Sequence, residues 1–444
     1  MASFLPQHLP DIPLPDPTST SSLRTIHDFF LSSFYTQEKC TQLLDSYVRP
    51  TRNWGKGWDG NSFCNHQEKH VVEWNRTPFQ VLTALFLFGE ELSKDICASV
   101  LSPSIFELLV SHKFLKRKYV SCYSSHQIFP VTVGSRTALI LTDWPFLDES
   151  LPSQFAVMPV GYDSLELTVI SEVNVSSSNA GECSSICDMC CGSGIQGIHY
   201  LLQLVSTNQN LSSVKCKFVD YNPRALSLCE FNVAFNGLSS ASCSFVKSDC
   251  WSDVDASADS KFDVILCNPP FVAIPESEEE RLHYYADGGV DGNNAIKEIF
   301  KEVLPRLKPL TGVMLMVTEL PNVSTSTSQV RRFLASEEGK IKIAYVKEDV
   351  ETIEEYSAVR NDEMGFKTDA KKYAKGINKS EDIGVIIDRA LVLIRVENVN
   401  SDDDEGLFEF SSGQDEDVEY EFGADEPDAF IGDAGRSFLA EVMK

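Results

Sequence analysis

The amino-acid sequence predicts an α/β fold with a mostly parallel β-sheet, an antiparallel edge strand and a separate N-terminal module. Two observations lead to this prediction. From residue 183 onward, short apolar runs alternate with runs of helical period, an order that builds a mostly parallel sheet. Before residue 150 the order differs, because two helical runs are followed by two alternating runs that are typical of paired strands.

The length and composition indicate a globular protein without a membrane span. The 444 residues are 43% hydrophobic, which is enough for two ordinary domains and additional tails. The first 25 residues are rich in Pro, Ser and Thr and resemble neither a signal peptide nor a transit peptide. We therefore expect no membrane contact, a cytoplasmic or nuclear location, and reduced thiols at the 13 cysteines.

The charge of the chain is strongly negative and unevenly distributed. The net charge is −27, and residues 401–444 account for −13 of it with 15 acidic and 2 basic side chains. The remaining body is acidic as well, which disfavours unaided binding to a long phosphate backbone. A local basic patch or a partner subunit could still supply the charge that RNA binding needs.

Shifts in composition divide the chain into five segments. They are a disordered leader (1–25), an N-terminal substrate-recognition module (26–150), a connecting hairpin and linker (155–182), an α/β domain (183–397) and an acidic tail (398–444). The tail is expected to be solvated and disordered because of its charge.

The N-terminal module is predicted to be a winged-helix-like module that helps choose the substrate, or alternatively a helical domain that merely packs on the catalytic one. A helix over TPFQVLTALFLFGEEL has Thr77 as its N-cap and Pro78 at its first position. A second helix is predicted over residues 102–119, and the runs IFPVTV and ALILTDW are predicted to pair as strands. The basic cluster KFLKRK, residues 113–118, is expected at the solvated end of the second helix.

In the α/β domain, polar residues that could bind a ligand follow the strands. The first strand ends in the glycine-rich turn DMCCGSG (188–194), and the next strands are followed by Asp220, Asp249 and Asn268. Ligands of parallel sheets bind beyond the carboxyl ends of the strands. The Asp220 carboxylate can accept hydrogen bonds from both hydroxyls of a ribose. Since neither G-x-G-x-x-G nor a P-loop is present, a nucleoside cofactor without phosphates fits better than a pyrophosphate-bearing one.

These motifs together give a specific resemblance. DMCCGSG, VDYNPRAL and CNPPF resemble, in this order, the cofactor loop, the ribose-binding strand end and the catalytic motif of class I S-adenosylmethionine-dependent methyltransferases. The resemblance covers residues 183–397 and implies a Rossmann-like sheet, methyltransferase activity and S-adenosyl-L-methionine as the cofactor. It also implies the cofactor-binding residues, which are Asp188, Cys190, Gly192 and Gly194 at the methionine end, Asp220 at the ribose and Asp249 at the adenine amine. One departure is Cys190, where a glycine is commonest.

Asn268, Pro269, Pro270 and Phe271 are the predicted catalytic residues. An amide or exocyclic amine nitrogen is a poor nucleophile because its lone pair is delocalised. The Asn268 side-chain oxygen and the Pro269 carbonyl could accept both of its N–H hydrogens, and the prolines would hold these acceptors in place. Phe271 is expected to be exposed and to stack on the planar group that carries the nitrogen. The alternative is that Asn-Pro-Pro merely ends a strand.

The acceptor is predicted to be a macromolecule, either protein or RNA. NPPF and the downstream YYADGGVDGNNAIKEIF resemble the HemK/PrmC branch, which methylates a glutamine amide, and its "methyltransferase small" relatives. Two departures are Phe271 in place of tyrosine and GYDSLELTVIS in place of Pro-Arg-x-x-Thr-Glu. They leave a guanine or adenine exocyclic amine of RNA as an alternative acceptor. A catalytically silent binding subunit is a further alternative, against which the intact Asn268 argues.

No metal site is predicted. Two groups of ligand-type side chains are closely spaced, namely Cys183, Cys187, Cys190 and Cys191 in one and Cys64, His66 and His70 in the other. The first group belongs mostly to a buried strand and its turn, and the second lacks a fourth ligand.

Overall fold

The computed structural model describes residues 20–47, 77–144, 155–177, 183–238, 241–255, 261–274, 284–309, 311–321, 340–351, 358, 387–397 and 407–411. The described residues divide into two compact units. The first lies within Met1–Tyr162, Gly192–Ser206 and Asn222–Ser240, and the second within Asp163–Cys191, Thr207–Tyr221 and Ala241–Lys444. These units do not follow the predicted boundary at residue 183, because two helices of the predicted α/β domain belong to the first unit.

The described helices and strands follow the predicted order within residues 183–397, whereas several elements elsewhere differ from their predictions. Before residue 150 they are α1 (Thr20–Ser32), α2 (Gln37–Tyr47), α3 (Pro78–Phe86), β1 (Leu92–Ser93), α4 (Lys94–Leu101), α5 (Pro103–Ser111), β2 (Leu115–Arg117), β3 (Ser121–Ser124), β4 (His126–Val133) and β5 (Arg136–Asp143). After it come α6 (Tyr162–Ser177), β6 (Ser185–Met189), α7 (Ile195–Ser206), β7 (Lys215–Asp220), α8 (Pro223–Phe235), β8 (Ser242–Lys247), β9 (Val264–Cys267), α9 (Asn294–Arg306), β10 (Val313–Pro321), β11 (Lys340–Glu351), β12 (Ile387–Glu397) and β13 (Leu407–Ser411).

In the first unit, α3 begins as its sequence predicts. Thr77 is the N-cap, it forms a capping box with Gln80, and Pro78 opens the helix. From α3 onward, a helix, a strand, two helices and a hairpin follow one another, and the three strands pair antiparallel in the order β1-β3-β2. This connectivity is compatible with the winged-helix-like alternative. The predicted pairing of β4 with β5 is confirmed.

Two predictions for the first unit are wrong. Helix α5 ends at Ser111, so the basic cluster 113–118 lies in β2 and the turns around it rather than at the end of a long helix. The chain turns there through Lys113, which has a positive φ of 64°. Helix α1 begins at Thr20 and therefore lies partly inside the predicted disordered leader.

Within the first unit, α8 is attached to β5 by two asparagines, one inside the helix and one directly after it, which bind the backbone of the strand. The Asn232 side chain accepts from Leu141 N and donates to Leu141 O, both at 2.9 Å, and Asn236 makes the same pair of bonds with Leu139, also at 2.9 Å. Four residues rise about 6 Å along a helix, and two residues rise about 6.8 Å along a strand. The two spacings match, so the two amides replace the strand that would otherwise pair with this edge of β5.

The second unit is built on a sheet whose described strands have the order β13-β11-β12-β10-β9-β6-β7-β8. The five strands from β10 to β8 are parallel, which confirms the predicted Rossmann-like sheet. Strand β12 is antiparallel, as predicted, but it lies between β10 and β11 rather than at the edge. The edge is β13, which pairs parallel with β11.

Two segments of the second unit differ from their predictions. Residues 162–177 form α6 and not part of a hairpin, because their buried side chains recur at helical spacing, at Ser164, Leu167, Ser171 and Asn174. Strand β13 lies inside the predicted disordered tail, where Leu407, Phe408 and Phe410 supply the apolar character that an edge strand needs. The predicted helix near 326–336 falls outside the described residues.

The core of the second unit lies between α9 and the parallel strands. The apolar face of α9, including Ile299 and Phe300, packs in one cluster with Cys187, Ile265 and Met314 of the sheet. In the part of the chain that the structure describes, no helix combines the length and the apolar character that crossing a membrane requires.

Candidate active site

The register of the parallel strands brings the predicted site residues of the second unit to one edge of the sheet. Met189 at the end of β6 is level with Cys267 of β9 and with Val219 of β7. Asp220 is level with Lys247 at the end of β8. The residues that follow these strands therefore emerge side by side at the carboxyl edge, where parallel sheets bind ligands.

The three predicted cofactor carboxylates differ in exposure. Asp188 lies inside β6 and is 0% exposed, Asp220 is half-buried, and Asp249 is exposed. The Asp220 carbonyl accepts from Ser248 N at 3.0 Å, which ties the ends of β7 and β8 together. Asp220 is thus the carboxylate that combines a fixed backbone with partial access at the rim.

The glycine-rich turn needs left-handed backbone at three positions. Cys190, Gly192 and Gly194 have φ values of 59°, 51° and 80°. Glycine adopts such values without strain, whereas Cys190 does not, so the departure from the family pattern falls on a strained residue. A Cβ on Gly192 would meet nothing within 4 Å, which leaves this backbone open to a close approach. Gly192 and Gly194 belong to the first unit, and their part in cofactor binding stays a prediction.

The thiols around the turn are protonated at neutral pH. A hydrogen bond to the Cys267 thiol, together with burial, raises the pKa of Cys190 well above its usual value. Burial also raises the pKa of Cys267 and of Cys250. A protonated thiol is a poor nucleophile, so none of these three cysteines is suited to covalent catalysis.

The polar residue of the NPPF motif is held by an acid that the sequence analysis missed. Asn268, directly after β9, donates from Nδ2 to Asp163 Oδ2 at 3.0 Å. Asp163 lies in the first turn of α6. A signal for it was present, because GYDSLELTVIS occupies the place where glutamine methyltransferases carry Pro-Arg-x-x-Thr-Glu, and Asp163 is the first acid of that segment.

The expectation of an exposed Phe271 is wrong. Its side chain is 9% exposed and belongs to the core cluster under the sheet edge, together with Val272 and Ile274. The reason is that the residues after it, VAI, pair with the segment from residue 284 onward, and this pairing holds the chain in the core. Pro269 is buried and Pro270 half-buried, so the motif is a packed turn and not an open platform.

A glycine-rich segment after the motif pairs with it. Val272 N donates to Ala286 O and Gly288 N donates to Val272 O, both at 3.0 Å. One step further, Ile274 N donates to Gly289 O at 2.9 Å. These bonds hold the chain after NPPF in a short parallel bridge, so both segments are fixed relative to each other.

The close approach of these segments explains the glycines in ADGGVDG. Gly292 has a φ of 72°, and a Cβ there would lie 2.6 Å from the Phe271 carbonyl oxygen. Next to this segment, Tyr284 packs edge-on against Tyr221, with ring centroids 5.7 Å apart. Tyr221 directly follows Asp220, so the segment reaches the predicted ribose position.

Residues 171–284 match the family model described as methyltransferase small domain. The match confirms the predicted resemblance to class I methyltransferases and, for this domain, the predicted enzyme class and S-adenosylmethionine as the cofactor. Within the described residues, no group of three or more His, Cys, Asp or Glu side chains is arranged to hold a metal ion.

Similar proteins include a curated relative and solved structures. A putative protein N5-glutamine methyltransferase of Methanocaldococcus jannaschii is 32% identical over 117 residues, which cover 26% of this chain. The chain spans about half of that relative's length, 55%. A putative class I S-adenosylmethionine-dependent methyltransferase of Listeria monocytogenes is 13% identical, with 56% of this chain and 64% of that one covered and a TM-score of 0.34. A type I restriction-modification methyltransferase subunit of Streptococcus thermophilus is 13% identical, with 63% and 52% covered and a TM-score of 0.37.

Proposed function

We propose that this protein is an S-adenosylmethionine-dependent N-methyltransferase and that its acceptor is a glutamine side-chain amide of a protein. The observation that carries the proposal is the hydrogen bond between Asn268 and Asp163, which holds the amide of the NPPF motif at the carboxyl edge of the sheet. The name of the archaeal relative, a putative protein N5-glutamine methyltransferase, supports the choice of acceptor.

The motif would act by accepting hydrogen bonds. A glutamine amide has two N–H hydrogens and a delocalised lone pair, so it attacks a methyl group poorly unless electron density is drawn onto its nitrogen. The Asn268 side-chain oxygen and the Pro269 carbonyl are two acceptors on consecutive residues, and together they match the two hydrogens. Neither proline of the motif has an N–H that could compete for these acceptors, and their fixed φ limits movement of the turn.

The residues of the second unit fit the cofactor that the family match implies. S-adenosylmethionine supplies a methyl group on a positively charged sulfur. In the proposal, the half-buried Asp220 carboxylate accepts from the ribose hydroxyls, and the left-handed backbone at Cys190 faces the methionine end. The proposal also keeps the roles that the resemblance implies for two further acids. Asp188 would lie beside the methionine end, and the exposed Asp249 would bind the adenine amine. Because the three thiols near the turn stay protonated, no competing nucleophile is present among them.

The ion pairs of the basic cluster in the N-terminal module favour protein over RNA as the substrate. Of the four cations in the basic cluster 113–118, Arg117 pairs with Glu107 and Lys118 with Glu91, the latter at 2.5 Å. Cations that are already paired with carboxylates have less capacity to bind phosphate. The chain as a whole carries a net charge of −27, which acts in the same direction.

The proposal can be tested with the full chain and S-adenosylmethionine that carries a tritiated methyl group. Cell extract serves as the acceptor, in portions treated beforehand with ribonuclease, with protease or with neither. We expect labelling that survives ribonuclease and is lost with protease. Labelling that ribonuclease removes would instead select RNA as the acceptor. If the folded protein binds S-adenosylhomocysteine but labels nothing in any portion, the silent-subunit alternative holds.

A further inference from the structure

We propose that Asp163 is a positioning residue that fixes which end of the Asn268 amide faces the acceptor. This inference rests on the proposed function, because it assigns a task to Asp163 only if Asn268 accepts hydrogen bonds during methyl transfer. The relevant geometry is the 3.0 Å contact from Asn268 Nδ2 to Asp163 Oδ2.

The chemistry of the two side chains allows one orientation only. An ionised carboxylate accepts hydrogen bonds and has none to donate, whereas an amide has a donating end and an accepting end. With the NH2 of Asn268 toward Asp163, the pair makes a charge-assisted hydrogen bond. With the amide turned by 180°, Asn268 Oδ1 would face the carboxylate, and two acceptors would repel each other. The Asn268 oxygen is therefore held on the side away from Asp163.

Without such a partner, the amide would lose this orientation. The terminal torsion of asparagine is broad and roughly two-fold, so the backbone alone does not choose between the two ends. Asn268 is half-buried and directly precedes Pro269, which fixes the backbone but not this torsion. An inverted amide would present its NH2 to the N–H hydrogens of the acceptor, where two donors would meet. Catalysis by hydrogen-bond acceptors depends on their being oriented in advance.

Helix α6 gives Asp163 a fixed base for this task. The helix is anchored by the buried side chains of Leu167 and Ile170, one and two turns after Asp163. Asp163 itself is half-buried and has a short side chain with little rotamer freedom to lose. The contact joins residues 105 positions apart, so the orientation of Asn268 depends on the packing of α6 and not on its own loop.

The decisive variant changes residue 163 from a hydrogen-bond acceptor to a hydrogen-bond donor. Asp163→Lys replaces an acceptor by a donor, which draws the Asn268 oxygen toward position 163 and turns the NH2 toward the acceptor. Asp163→Asn keeps the size and can pair with either end of the amide, so it removes the preference without reversing it. Asp253→Lys is the control, because Asp253 is an exposed acid of the same unit.

Each variant is measured for methyl transfer into ribonuclease-treated extract at saturating S-adenosylmethionine, for S-adenosylhomocysteine binding by calorimetry, and for Tm. We expect Asp163→Lys to lose about 100-fold in rate, the loss typical of removing one oriented hydrogen-bond partner, and Asp163→Asn to lose a few-fold. S-adenosylhomocysteine binding should be unchanged, and Asp253→Lys should transfer at the wild-type rate. In the Asn268→Ala background, Asp163→Lys should cause no further loss, because its effect passes through that amide.

Two results would overturn the inference. One is an unchanged rate for Asp163→Lys in protein that binds S-adenosylhomocysteine normally. The other is a double variant, Asp163→Lys with Asn268→Ala, whose loss in rate equals the product of the two single losses. Asp163 would then act independently of the Asn268 amide. A wild-type protein that transfers no methyl group, or an Asn268→Ala variant at full rate, would instead count against the proposed function. If Asp163→Lys does not fold, the graded loss expected for Asp163→Asn carries the same test.

Discussion

Gly194 and Cys229 pack so closely that a methyl group on Gly194 would lie 2.4 Å from the Cys229 sulfur. Gly194 also has a φ of 80°, so both its backbone and its surroundings require glycine. Gly192, two residues earlier in the same turn, has a left-handed backbone but open space around it. The two glycines of the predicted cofactor turn thus have different structural tasks, and Gly194 serves the packing of α7 against α8.

This difference predicts unequal effects of alanine at the two positions. Gly192→Ala should cost about 1–2 kcal/mol of unfolding free energy from backbone strain. Gly194→Ala should cost a further 1–3 kcal/mol or so, because the added methyl overpacks the contact with Cys229. Urea unfolding of both variants measures the gap, and the gap should narrow when Cys229 is replaced by alanine. Equal losses for the two variants would contradict this account of the turn.

A buried ion pair in the first unit should be costly to break. Arg224 donates from Nε to Asp143 Oδ2 at 2.7 Å and also contacts Oδ1, and the two side chains are only 5% and 2% exposed. Asp143→Ala should lower the unfolding free energy by about 3–5 kcal/mol, since it leaves a buried guanidinium without its partner. Glu107→Ala, which breaks an exposed pair, should cost less than about 1 kcal/mol. Similar losses of unfolding free energy for both variants in denaturant titrations would show that burial does not determine the cost of breaking these ion pairs.

His27 should make the stability of the protein depend on pH. Burial lowers its pKa from 6.5 more than the neighbouring Asp28 raises it, and its ring packs edge-on against Phe235 at 5.4 Å. Between pH 6.5 and the lowered pKa, His27 is protonated in the unfolded chain but neutral in the folded chain. The free energy of unfolding therefore falls as the pH drops from 6.5 toward the lowered pKa. Above pH 6.5 the contribution is constant. His27→Gln should flatten this part of the stability curve, and an unchanged slope in denaturant titrations would refute the assignment.

Asp220 is expected to dominate recognition of the cofactor. Each hydrogen bond to a charged group contributes about 1.5–3 kcal/mol, so Asp220→Ala should weaken S-adenosylhomocysteine binding by about 10-fold to more than 100-fold. Asp253→Ala, at an exposed acid of the same unit, should leave the calorimetric Kd unchanged. An Asp220→Ala variant that binds as tightly as the wild type would remove the ribose role from this residue.

The residues that local sequence could predict are those at strand ends. The apolar residues of β7 end at Asp220 and those of β9 end before Asn268, so the positions of these two residues followed from the local pattern. The burial of Phe271 did not, because it depends on pairing with a segment beyond residue 283. The sequence LELTVI within α6 fits either periodicity, so tertiary packing and not local pattern decides between a helix and a strand there.

The contacts that sequence could not predict are those between distant segments. Asp163 meets Asn268 across 105 positions, and no local pattern indicates that two such residues touch. Strand β13 belongs to a strongly acidic segment whose composition favours disorder, yet it pairs with β11 more than 50 residues earlier. Local propensity is a weak guide where backbone pairing across the sheet decides the structure.

We propose above all that this protein methylates a glutamine amide with the help of Asn268. The most direct test is mass spectrometry of ribonuclease-treated extract proteins after incubation with S-adenosylmethionine and either the wild type or Asn268→Ala. We expect N5-methylglutamine with the wild type and a yield lowered by about 100-fold or more with Asn268→Ala, although both should bind S-adenosylhomocysteine equally. Methylation found only on another residue type, or an equal yield of methylglutamine from Asn268→Ala, would contradict it.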